Sequence, residues 1–147
     1  MGERSYPGDH ASLGEIHRLA EHYRSAAAHL LKLGQAGDPL SRAPFRLCAI
    51  HAIELYLNAL LLHLGHDPAS IRGLQHDLKT RADLAVQRGL QLRKRTETHL
   101  KEMVDTREYL VTRYGPEKTT QLPQINRLEA TLGEIANKVS QMIGPRA

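Results

Sequence analysis

Residues 41–65, SRAPFRLCAIHAIELYLNALLLHLG, are apolar on nearly every side, and this run constrains the fold more than any other stretch. Ser41 suits an N-cap, Pro44 the first helical turn, and Gly65 with Pro68 a stop. Between them Phe45, Leu47, Ile50, Ile53, Leu57, Leu60 and Leu64 cover more than one stripe. A helix apolar most of the way round belongs inside a bundle or in a membrane. Arg46, His51, Glu54, Asn58 and His63 interrupt the run, and a charge at a bilayer centre costs roughly 2.5–3.5 kcal/mol. The expectation is the central helix of a soluble bundle, with no membrane partner.

Helical patterns flank the run on both sides. Ser12 and Glu15 have capping-box spacing, and Leu13, Ile16, Leu19, Tyr23, Ala27, Leu30 and Leu33 then recur at helical intervals toward Gly34. After Gly65 the pattern predicts one helical turn at Pro68–Arg72 and a short helix at His76–Arg88 capped by His76 and closed by Gly89. A long helix from Gln91 to Tyr114 follows, ending at Gly115-Pro116. Residues 117–122 read as a polar linker. Pro123 opens a last helix whose Ile125, Leu128, Leu132, Ile135, Val139 and Met142 make a seam like that of a coiled coil. The fold class expected is all-α: an up-and-down bundle of four long helices plus one short helix. Residues 1–11 are expected to be a flexible lead-in and residues 12–144 a single helical-bundle domain, a length that can bury a core.

Composition narrows the function classes. A single cysteine excludes an internal disulfide and suits a reducing compartment. The first ten residues, MGERSYPGDH, lack the apolar stretch of a secretory signal, so the cytoplasm is the expected location. The formal charge of +4 favours anionic partners weakly. No phosphate-binding glycine loop and no HExxH occur. His51 and Glu54, three apart on the central helix, read as a polar pair in the core, since one such pair lacks the second supplier that a bundle metal site needs. Neither a metal nor a cofactor is expected. Lys79, Arg81, Arg88, Arg93, Lys94 and Arg95 form a basic stretch that reads as a solvated face or as a surface for RNA.

On one continuous helix from 91 to 114, His99, Met103, Arg107, Leu110 and Tyr114 share a face. Arg107 then falls on a mostly buried face, where a guanidinium needs a partner or an anion. Two roles follow: an internal salt bridge, for which Glu54 is the candidate, or a phosphate contact.

Taken together, Ala49-Ile-His51-Ala-Ile-Glu54-Leu-Tyr56-Leu57, Leu60 to Leu62, Gly65, His76-Asp77-Leu78, Gly89-Leu90 and Arg107-Glu-Tyr-Leu-Val-Thr112-Arg113-Tyr114 are in the right order for a family. Over about residues 15–115 the chain resembles the HEPN superfamily (higher eukaryotes and prokaryotes nucleotide-binding domains). That resemblance implies a bundle of four or five helices and a homodimer. It also implies either a metal-independent ribonuclease or a non-catalytic binding partner, in a toxin–antitoxin or defence system. The partner could be RNA, a separate nucleotidyltransferase or an antitoxin chain. Catalytic members carry Arg, four to six residues, then His. By the resemblance, Arg107 and Tyr114 match that motif, with Thr112 where the His is expected. A threonine cannot act as a general base near neutral pH. His99 is the substitute imidazole, and Arg93 with His99 is a second fit to the spacing, though it comes early in the chain. Arg93, Lys94, Arg95 and Arg113 are the candidate nucleic-acid contacts. The expectation is a HEPN-like non-catalytic binding protein; the alternative is an endoribonuclease using Arg107 at a dimer interface.

Overall fold

A computed structural model describes residues 4–145. Ser12 opens helix α1 (Leu13–Leu33) with the full capping box: its Oγ accepts from the Glu15 N–H at 3.0 Å, and the Glu15 carboxylate accepts from the Ser12 N–H at 2.8 Å. Ala20 and Ala27 are fully buried, and Ile16, Tyr23 and Leu30 pack beside them. These small residues let α1 lie close along the next helix, α2 (Ala43–His63).

Twelve of the 21 residues of α2 are buried, which makes it the axis of the molecule. A 3-10 turn over Pro39–Arg42 leads into it. Ser41 does not cap α2; its hydroxyl donates to the Asp38 carbonyl at 2.7 Å and so stabilises the preceding turn. Gly65, at φ +99°, ends the helix, with its N–H on the Leu62 carbonyl and that of His66 on the Leu61 carbonyl. That is the two-bond stop a left-handed glycine permits. By length and composition α2 could cross a membrane, but 67% of its most apolar window is buried inside this chain.

Two short helices follow, α3 (Pro68–Arg72) and α4 (Leu78–Val86). Asp77, not His76, caps α4, its carboxylate accepting from the Thr80 N–H at 2.9 Å. The expected helix from 91 to 114 is two helices, α5 (Lys94–Asp105) and α6 (Glu108–Tyr114). They break at Arg107, which is left-handed at φ 52°, ψ 46°. The break resets the phase of the chain, so Glu108 turns into the core and Arg107 stands in solvent. Residues 116–121 form a second 3-10 turn where a linker was expected. The last helix, α7 (Ile125–Ile143), buries Leu128, Leu132, Ile135 and Val139 against α2 and α5 of the same chain. The fold is all-helical among the described residues, apart from one isolated bridge between Gln35 and Asp38.

Candidate functional site

The residues picked out by the sequence do not converge. Arg107 is exposed and Tyr114 is 75% exposed. The Thr112 hydroxyl bonds weakly to the Tyr109 carbonyl at 3.4 Å. His99 is buried on α5, so the stripe expected to join it with Arg107 and Tyr114 is broken at the helix boundary. Arg107 makes no ion pair with Glu54. Glu54 instead faces Arg81 at 3.8 Å and His76 at 3.5 Å. One cation that enters the core is Arg46, which donates from Nη1 to Glu108 Oε2 at 2.7 Å and from Nη2 to the Pro123 carbonyl at 2.7 Å. Burial raises the Glu108 pKa, and the adjacent Arg46 charge only partly opposes the rise.

His51 and Glu54 are half-buried and do not hydrogen-bond to each other; they line a cleft of about 620 Å³. Asn58, His76 and Arg81 share that cleft, and the turn at Tyr6–Asp9 forms one wall. Arg72 holds this turn, pairing with Asp9 at 2.5 Å and lying over the Tyr6 ring. Arg81, read from the sequence as part of a solvated stretch, is 2% exposed, and its Nε donates to Asn58 Oδ1 at 2.7 Å. Burial lowers the His51 pKa; Glu54 opposes this, and the charges of Arg113 and His76 add to it. Arg113 itself is exposed and does not line the cleft. The ring of His76 stacks on Tyr109, and that of His51 meets Tyr23 edge-on. Arg81 with Asn58 and His76 with Glu54 are the bonded pairs of this cleft.

A second concavity, of about 700 Å³, runs between α5 and α7. Lys94 and Arg95 border it from α5, and Arg127 borders it from α7. Glu102 is the one carboxylate in its lining. Arg93, Lys94 and Arg95 are exposed, as a basic surface requires. Glu134 of α7 supplies the cap α5 lacks: its carboxylate accepts from the Arg93 N–H at 2.8 Å and from the Thr96 hydroxyl. Lys138 binds Glu134 at 2.7 Å and the Gln91 carbonyl at 2.6 Å, fixing the two helices in register.

His99 contributes to the groove lining and is 1% exposed. Its Nδ1 sits 2.6 Å from the Thr131 hydroxyl, while its Nε2 has no partner. Burial, aided by the charges of Arg127 and Arg46, pushes its pKa down to about 4, so the ring is neutral at pH 7. The Nε of Arg127 is also buried without a partner. Sequence reasoning missed Arg46, Glu108 and Arg127. Arg46 was visible only as a break in an apolar run, and nothing local marked Arg127.

Among the described residues, no three His, Cys, Asp or Glu side chains gather as a metal site. No family model, curated protein or solved structure matches the chain.

Proposed function

We propose that this chain is a HEPN-like, non-catalytic binding module that contacts RNA through the basic groove between α5 and α7. The observation that carries the reading is that Lys94, Arg95 and Arg127 border one groove with a single carboxylate among its lining residues. Cations grouped this way release counterions when they neutralise phosphates, and that is the sequence-independent part of RNA affinity. Non-catalytic action is supported by what stands where the motif needs a titratable imidazole. Thr112 stands at the position the motif reserves for one, and His99, held near pKa 4, cannot take up a proton at neutral pH. A neutral, buried His99 within α5 and an exposed Arg107 at the break before α6 also weigh against pairing these two within one chain.

The test is fluorescence anisotropy of a labelled single-stranded RNA across a salt series, with gel analysis of the same samples. Binding should weaken linearly in log–log form with salt, and Lys94→Gln should reduce the slope by about 1. Binding indifferent to salt overturns the reading. Metal-independent cleavage abolished by Arg107→Ala replaces it with the ribonuclease alternative.

A further inference from the structure

The orphaned atoms of the α5–α7 groove ask for a specific ligand. The Nε2 of His99 and the Nε of Arg127 are both buried without partners, and both residues line this one groove. Arg127 Nε always carries a hydrogen. When the Thr131 hydroxyl donates to His99 Nδ1, Nε2 of the neutral ring carries one too. Two buried donors on residues of one groove, each without an acceptor, each forfeit a hydrogen bond in a dry environment, a cost of about 1–3 kcal/mol per group. An acceptor oxygen reaching each donor removes that cost. The surrounding charge says which kind of oxygen, because Lys94, Arg95 and Arg127 outnumber Glu102. The Glu108 carboxylate is already engaged by Arg46. Gln124, the N-cap of α7, makes no side-chain cap and lines the same groove, so the positive end of this 19-residue helix lies at its edge.

We infer that the groove is a phosphate site, in which phosphate oxygens accept from Arg127 Nε–H and His99 Nε2–H while Lys94 and Arg95 flank the anion at the rim. The inference deepens the RNA reading and rests on it for the source of the phosphate. His99 acts here as a neutral donor that positions the anion, not as an acid or base. No bond is made or broken.

Imidazole-nitrogen NMR of the full chain tests the site directly, with three probes: inorganic phosphate, a short RNA bearing a 5′-phosphate, and the same RNA with a 5′-hydroxyl. His99 should show a protonated Nε2 and a bare Nδ1, and a bound phosphate should shift Nε2 and raise the His99 pKa. A response to both RNAs supports a backbone phosphate, a response to the phosphorylated RNA alone supports a terminal one, and a response to inorganic phosphate alone supports a free one. Arg127→Gln should weaken phosphate binding about tenfold, with Arg127→Lys intermediate. Arg107→Gln should leave it unchanged, and circular dichroism should confirm that the variants fold. If no probe moves His99, a water fills the gap and the inference is overturned. Salt-dependent RNA binding in that same sample would leave the RNA reading standing. A phosphate response without RNA binding would keep the site and overturn the RNA reading. A bare Nε2 in the presence of saturating phosphate also overturns the inference.

Discussion

Glu108 and Arg46 meet 62 residues apart in sequence and 2.7 Å apart in space, where the starts of α2 and α6 come together. Glu108 is 0% exposed and Arg46 is 8% exposed. Glu108 Oε1 has no partner, so half of this carboxylate is desolvated without compensation. Removing one member strands the other charge, so Arg46→Met alone should cost about 3–5 kcal/mol of unfolding free energy. Arg46→Met with Glu108→Leu should recover most of that loss. Urea unfolding of the two single variants and the double variant measures the coupling.

The raised pKa of Glu108 has a signed consequence. In the window above the ordinary carboxylate pKa, the folded state holds a proton that the unfolded state has released. This group's contribution therefore declines as pH rises through that window. Glu108→Gln should flatten that decline, as read from urea midpoints between pH 4 and neutrality.

His99 works in the opposite direction. Its folded pKa of about 4 lies below the unfolded value of about 6.5. The unfolded state binds the proton first, so stability falls as pH drops from about 6.5 toward about 4. The loss attributable to this group is at most about 3 kcal/mol. His99→Gln should remove it, leaving a shallower midpoint-versus-pH curve on the acid side.

Tyr56 is fully buried on α2, and its hydroxyl donates to the Glu21 carboxylate of α1. Burial and that carboxylate push the phenol pKa up. Tyr56→Phe keeps the packing and deletes a charge-assisted bond across the α1–α2 contact. The expected cost is about 1.5–3 kcal/mol in thermal or urea unfolding, with helix content unchanged. If the loss is much smaller, α1 is held by its apolar face alone.

Arg107 sits in the left-handed region without a β-carbon-free backbone to suit it. Arg107→Gly should relieve strain and stabilise the fold by about 1 kcal/mol, against a loss of similar size if the site were an ordinary helical position. The same variant should keep its RNA affinity, because Arg107 lies outside the α5–α7 groove.

The parts of the fold that local chemistry dictates were legible in the sequence. The all-round apolar run of α2 required a central helix, Ser12 and Glu15 announced the start of α1, and Gly65 and Gly89 marked left-handed stops. The exposure of Arg93, Lys94 and Arg95 was legible for the same reason. The break at Arg107 was not, because Thr106 and Arg107 carry no stop signal. A helix-period stripe continues across them only on the assumption that the helix does.

The sequence by itself determined an all-helical chain with α2 at its axis, because solvent exclusion acts on each helix's own pattern. Tertiary structure alone decided the pairing of charges. Which cation meets which acid depends on helix phase and on the juxtaposition of distant segments, so Arg46 took Glu108 and Arg81 took Glu54. The same packing set His99 beside Thr131 and left its Nε2 unpartnered in a groove shared with Arg127. A desolvated donor registers only when every neighbour is in place, and no local pattern encodes it.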